Sequence, residues 1–316
     1  MNEAGWETEQ FQRHRAHLEA VAYRMLGSIS EAEDAVQETW IRLRRSRQDS
    51  IRDQRAWLTT IVSRICIDML RSRHARREDQ FGTWVPEPII DTAADDDPAE
   101  QALLADTVGL ALLVVLETLT PNERLAYVMH DMFGLPFDEI GPMIDRSTDT
   151  ARQLASRARR RVRAHTPPAD TDVSKQREII DAFLTASRAG DFDRLVTLLH
   201  PQVILRAGGA HGHRPEQTGA IAVAESAAVQ GPRFATLCQP GTVNGQPGLL
   251  VNLQQRTIGA IAFTVTGGLI STIDAVLDVK RAGAAGGLEA IIAAIGDHGP
   301  DDDLLAHFRE LIGVEQ

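Results

Sequence analysis

Residues 137–163, FDEIGPMIDRSTDTARQLASRARRRVR, constrain the fold more tightly than any other part of the chain. Phe137, Ile140 and Ile144 recur at helical spacing, as the inner stripe of an amphipathic helix does. Asp145, Arg146, Ser147 and Thr148 break that period. Ser147 or Thr148 then offers a hydroxyl to cap a second helix, and Asp149 suits that helix's positive N-terminus. Along it Ala151, Leu154, Ala155, Ala158 and Val162 share one apolar stripe, and the small alanines permit close packing on a partner helix. Arg152, Gln153, Ser156, Arg159, Arg160 and Arg163 fall on other faces. The spacing predicts a helix–turn–helix whose second helix presents groups that hydrogen-bond base edges and phosphates. A solvated basic helix in a bundle is the plainer alternative. Agreement of turn, cap, stripe and Arg/Gln face favours DNA.

A net charge of −11 over 316 residues argues at first against nucleic acid, but the charge is segregated. Residues 146–163 hold seven arginines and one aspartate, whereas 81–105 hold six acids and no base. The basic helix therefore stays usable while the remainder repels nucleic acid. Such a chain should bind DNA weakly alone and need a partner that supplies most phosphate contacts. Cys66 and Cys238 lie far apart in apolar runs, the pattern of buried thiols rather than of a disulfide or metal site. No apolar run reaches membrane-spanning length and no leader-like segment precedes the first polar helix, so a cytoplasmic location without a membrane partner is expected. Nothing in the pattern calls for a cofactor or a metal.

Turn and proline signals divide the chain. Residues 1–80 read as all helix, with helices near 9–26, 31–45 and 55–77. Gly27-Ser28 makes the first break, and Ser30 stands in a capping-box relation to Glu33. Residues 81–105 form an acidic linker, where WVPEP at 84–88 cannot be regular helix because each proline pushes its predecessor toward extended geometry. The second helical part, residues 106–166 with the few residues before them, carries helices near 103–118, 122–131, 137–144 and 148–164, with Pro121 in a first turn behind Thr120. Residues 171–280 change character. A helical pair at 174–199 precedes short β-like runs at 203–206, 235–237, 248–254, 257–265 and 269–277. Asn244-Gly245 and Gly267-Gly268 suit hairpin turns. This predicts an α+β domain with a curved antiparallel sheet. Residues 281–316 add two helical patterns, the last starting around 301–303. The expected fold is multidomain: two all-α domains, the second with the helix–turn–helix, then an α+β cone.

Segments 11–43 (FQRHRAHLEAVAYRMLGSISEAEDAVQETWIRL), 55–73 (RAWLTTIVSRICIDMLRSR) and 119–163 together resemble the bacterial RNA polymerase sigma factors of extracytoplasmic-function type. The resemblance covers nearly all of residues 11–165. It assigns 1–80 to sigma region 2 and 106–166 to region 4. VNGQPGLLV at 243–251, the run 258–265 and GGLISTIDAVLD at 267–278 look like the SnoaL-like, NTF2-type cone. A sigma factor with this extension resembles the SigJ-type group, whose linker motif WVPEP matches. That group's cone carries an Asp-Gly-Gly-Gly motif. Here the stretch reads Ala207-Gly208-Gly209-Ala210, which puts in doubt any contact or chemistry that needs the carboxylate.

The resemblance implies an alternative sigma factor that directs core RNA polymerase to specific promoters. It places Asp34, Gln37, Glu38 and Ile41, one side of a helix, on the clamp of the largest polymerase subunit, with the flap as a further polymerase contact. A mixed polar and apolar patch suits a reversible, charge-selective interface. It assigns the −10 element to Gln48, Arg52, Arg55, Trp57, Arg64, Arg71 and Arg73. Melted DNA needs a pocket for a flipped base, and phosphate-bound arginines give affinity rather than sequence. Trp57 either stacks on a base or is buried. The −35 element falls to Ser147, Thr148, Thr150, Arg152, Gln153, Ser156, Arg157 and Arg160. Arg152 and Gln153 stand at base edges, since Arg is bidentate to guanine and Gln to adenine; Arg157, Arg160 and Arg161 stand at the backbone.

Trp84, Pro86, Pro88, Gly208 and Gly209 are the expected interdomain regulatory residues, through which the cone sets the equilibrium between closed and polymerase-competent forms. The acidic stretch 87–100 either mimics RNA in the polymerase exit path or is a soluble tether. The cone leaves room for a small apolar ligand. Proton-transfer chemistry there would need a paired acid and base, for which His200, His211, His213 and Asp274 are the candidates; no enzyme is expected. Two other readings stand beside this one: a ligand-binding or isomerase-like enzyme with an attached DNA-binding half, and a repressor that binds duplex DNA without polymerase.

Overall fold

The computed structural model describes residues 3–46, 53–77, 86–90, 109–165, 170, 172–209, 216–277, 285 and 290–291. Gln48, Arg52, Trp84, His211, His213 and the helical pattern expected from 301 onward lie outside these residues. The chain forms two compact units, one built on the helices of 3–77 and 115–165, the other on 86–90 and 172–277.

The first unit begins with α1 (Glu3–Leu26), α2 (Ile29–Arg45) and α3 (Gln54–Arg77), which pack on one another. Leu18, Val21, Met25, Leu43, Leu58 and Ile67 are fully buried between them. The cap expected at Ser30 falls on Ser28 instead, whose Oγ accepts from the Glu31 amide at 3.4 Å. Gly27 ends α1 with φ +69°, so the next helix starts at once and the first hydroxyl within reach of its amides is that of Ser28. Asp53 caps α3, accepting from the Ala56 amide at 3.0 Å.

Four helices come next in the chain: α4 (Leu110–Leu116), α5 (Pro121–Tyr127), α6 (Phe137–Met143) and α7 (Thr148–His165). Thr120 and Glu123 complete the capping box of α5 behind Pro121, and a π-helical turn at Val128–Met132 ends that helix early. The two helical groups are joined through buried charge. Glu117, almost wholly buried, pairs with Arg124 and lies 3.7 Å from Arg73, which also pairs with Glu31. Arg124 further donates to the Arg24 carbonyl at 3.3–3.4 Å. Phe133 receives the Arg24 guanidinium at 5.0 Å from its ring centre and the edge of His17 at 5.4 Å.

In the second unit α8 (Val173–Ala189) and α9 (Phe192–Leu198) precede β1 (Leu199–Gly209) and the short β2 (Gln217–Thr218). Then come α10 (Ala220–Phe234), β3 (Cys238–Val243), β4 (Gln246–Leu253), β5 (Arg256–Thr266) and β6 (Leu269–Leu277). The six strands run in the order β2-β1-β6-β5-β4-β3. The sheet is mixed rather than antiparallel, because β1 pairs parallel with β6 across the long connection between them. Both expected turns are hairpins of type I′ character, with φ +49° and +71° at Asn244-Gly245 and +59° and +78° at Gly267-Gly268. Residues 235–237, expected as strand, come directly after α10 instead, and pairing starts at Cys238. Phe183 of α8 meets Phe263 of β5 edge to face at 5.6 Å, within a core that also holds Leu195, Val223, Leu249 and Ile273.

Candidate nucleic-acid interface

The helix–turn–helix is set by three local devices. Gly141 allows the turn to close: a Cβ there would sit 2.8 Å from the Arg146 carbonyl oxygen. Asp145 takes φ +53°, a left-handed conformation that Asp tolerates better than most residues. Ser147 caps α7, its Oγ accepting from the Thr150 amide at 3.2 Å and lying 2.9 Å from the Thr150 hydroxyl. Ala151, Ala155, Ala158 and Val162 are buried as the stripe requires, and Leu154 is half-buried.

The opposite face of α7 is open. Ser147, Arg152, Gln153, Ser156, Arg157 and Arg160 are exposed, and Thr148 and Thr150 are half-buried at the N-terminal turn. Arg152 pairs with Asp149 at 2.7 Å and lies 5.5 Å over the Phe137 ring, near the N-terminal end of α7. Two arginines of the same row face the scaffold. Arg159 pairs with Asp131 at 2.5 Å. Arg161, expected at the DNA backbone, reaches Glu123 at 3.1 Å. Periodicity gives the face of a helix, whereas the acidic partners come from α5 and the π-turn, which no spacing rule places.

On α2, Asp34 and Gln37 are exposed while Glu38 and Ile41 are half-buried, opposite the buried Ala32, Ala35, Val36, Thr39 and Leu43. Glu38 pairs with Arg42 at 3.0 Å. The four residues therefore share one surface.

The residues expected at the −10 element are divided. Arg55 is exposed and Trp57 half-buried. Arg64 is exposed, yet it donates to the Pro142 carbonyl at 2.8 Å and lies 3.9 Å from Asp145, both next to the turn of the helix–turn–helix. Arg71 donates to Asn122 Oδ1 at 3.3 Å. Arg73 is tied inward by Glu31, Glu117 and the Leu26 carbonyl. Its side chain is only 12 % exposed, which leaves little of the guanidinium for a phosphate.

In the second unit the motif glycines pair within the sheet, Gly208 with Val276 and Gly209 with Leu277. Asp274 is buried and bonded by Arg206 at 3.1 Å, and Arg206 reaches Glu216 at 2.8 Å. Burial pushes the Asp274 carboxyl upward, and Arg206 works against that rise. His200 accepts from the Gln202 amide at 3.1 Å. Neither residue lines the cavity of this unit. No cluster of three metal-ligating side chains occurs among them, and none of their helices is long and apolar enough to cross a membrane.

A capped recognition helix on a helical scaffold, followed by an α+β domain, defines a DNA-binding protein of transcription. Family comparison specifies which. Residues 10–76 match the model of sigma-70 region 2 and residues 109–162 that of sigma-70 region 4. The chain is 42% identical over 216 residues to the ECF RNA polymerase sigma factor SigJ of Mycobacterium tuberculosis, covering 68% of this chain and 69% of that protein. It is 35% identical over 288 residues to the probable ECF sigma factor SigI of the same species, covering 87% and 96%. The crystal structure of M. tuberculosis SigJ superimposes with a TM-score of 0.69 at 34% identity, over 88% of this chain and 99% of that one. The chain belongs to the ECF family of RNA polymerase sigma factors, non-enzymatic initiation factors that direct the polymerase to promoters.

Proposed function

We propose that this sigma factor reads a −35 element with Arg152, Gln153 and Ser156 while Ser147, Thr148, Thr150, Arg157 and Arg160 hold the phosphates. It docks on the polymerase clamp through Asp34, Gln37, Glu38 and Ile41, and meets the −10 element with Arg55, Trp57, Arg64 and Arg71, together with Gln48 and Arg52. The open, basic, capped face of α7 carries this reading. The two elements are named for positions about 25 base pairs apart, roughly 85 Å at 3.4 Å per step. Arg64 cannot serve one of them while bonded to the turn that serves the other. The arrangement with Arg64 on that turn is therefore the closed form, and productive binding separates α3 from the helix–turn–helix.

The C-terminal cone modulates this transition in cis. The supporting observation is a strap. Residues 86–90, the last three of the WVPEP motif together with Ile89 and Ile90, lie in the chain between α3 and α4 yet dock on the cone. The Ile89 amide donates to Asn244 Oδ1 at 3.0 Å, the Asn244 amide donates to the Ile89 carbonyl at 2.9 Å, and Ile90 bridges to Val243. Pro86, Pro88 and Ile89 are buried. The connection between the two sigma regions is thereby held by the domain C-terminal to them.

Run-off transcription with bacterial core polymerase tests both statements, using the full chain and versions ending at Ala169 and at Asp278. Transcripts that require the added protein are expected, with a yield that changes on removing the cone. Equal yields from folded full-length and Ala169 versions would overturn modulation in cis; no transcript from any version would overturn the promoter reading.

A further inference from the structure

Between α8, α10 and the sheet of the second unit lies a cavity of about 160 Å³. The space exists because several lining positions carry almost no side chain, among them Ala207, Gly208, Ala227, Ala260 and Ala275. Its wall is mostly apolar, and no charged side chain lines it among the described residues.

The polar groups of the wall are unequal. Ser226 Oγ and Gln217 Oε1 satisfy each other at 2.9 Å. Ser187 Oγ has no hydrogen-bond partner among the described residues, although the residue is only 5% exposed. Ser187 stands where α8 and α10 meet most closely: a Cβ on Gly231 would overlap the Ser187 carbonyl. A buried hydroxyl without a partner costs stability. Apart from the paired Ser226 and Gln217, Gln230 is the other amide side chain of the described wall, and the rest of that wall is mostly apolar.

We propose that the cavity is a binding site for a small, neutral molecule with a one- or two-ring apolar body and one hydrogen-bonding group, which meets Ser187 Oγ. Size follows from the volume, since an apolar cavity of about 150 Å³ takes benzene. Neutrality follows from the described wall, which carries no charged side chain, so that an unpaired ion would lose its hydration without compensation there. This site does not depend on how the cone affects transcription.

Indole and indene are suitable probes, being nearly isosteric but with an N–H only in indole. Titration of the full chain, followed calorimetrically, should give one site for each. Indole should bind roughly tenfold more tightly, the worth of one hydrogen bond to a group otherwise unpaired. Ser187→Ala should bring indole down to the affinity of indene and leave indene unchanged. Ala227→Phe should fill the space and abolish both. Absence of saturable binding by either probe overturns the site. Equal affinities, or an indole advantage that survives Ser187→Ala, overturn the role of the hydroxyl. Should Ala227→Phe fail to fold, the indole–indene comparison on Ser187→Ala decides alone.

Discussion

Gly141 sets whether the recognition helix can be presented at all. Gly141→Ala would gain up to about 1 kcal/mol of helix propensity. The new methyl would meet the Arg146 carbonyl at 2.8 Å, an overpacking that costs about 1–3 kcal/mol. The clash involves backbone, which has no rotamer by which to escape, so the net effect is destabilising. Denaturant melts should show a lower midpoint, and promoter binding by the holoenzyme should weaken. An unchanged midpoint would refute the tight turn. His17 carries a different liability. Burial and the nearby Arg55 lower its pKa to about 4 from 6.5, while its ring contacts Thr59 at 3.1 Å and the edge of Phe133. Between pH 6.5 and 4 the unfolded chain binds a proton that the folded chain refuses, so stability falls as pH falls through that window. In His17→Gln the part of this loss due to His17 should vanish. Parallel stability-versus-pH curves for the two proteins between pH 6.5 and 4 would sink the assignment.

The helix–turn–helix and the hairpins were legible in the sequence because their signals are local. Ala151, Ala155 and Ala158 repeat at the period of one helix, and Asn244-Gly245 is a type I′ turn in two letters. What needed a partner distant in the chain was not legible. The parallel pairing of β1 with β6 joins residues about 70 apart. α10 was not among the expected elements; it carries Gly231-Pro232 near its end, where the glycine serves the contact with α8. The inward turn of Arg73 likewise depends on Glu117, more than 40 residues away. The strap is the element on which regulation can be tested directly. Asn244→Gly keeps the positive φ of the hairpin but removes the acceptor for the Ile89 amide, leaving a buried donor unpaired at about 1–3 kcal/mol. Transcript yield should move in the same direction as removal of the cone, by a smaller factor. Movement in the opposite direction would mean that the cone does not act through the strap.

At the scale of the molecule, the contacts between the two sigma regions oppose the proposed opening. Glu117 with Arg73 and Arg124, Phe133 with Arg24, and Ser63 with the Met129 sulfur at 3.6 Å together hold the two sigma regions in contact. Breaking such a buried charge network costs about 3–5 kcal/mol when one partner is simply removed. The proposed opening would therefore be driven by contacts that only the open form makes, those with polymerase and promoter. Two label positions report on it, Asp68→Cys on α3 and Asp138→Cys on α6, both at exposed sites. The native thiols should not compete for dye: Cys66 and Cys238 are buried, and burial pushes each up to about 12, where almost no reactive thiolate remains. Energy transfer should be high in the free protein and nearly absent in the complex with core polymerase and promoter, where the elements lie roughly 85 Å apart. Glu117→Gln weakens closure and should lower transfer in the free protein while leaving the complex unchanged. Undiminished transfer in a transcribing complex would mean that α3 and the helix–turn–helix stay together on DNA, and the division of the two promoter elements between them would be wrong.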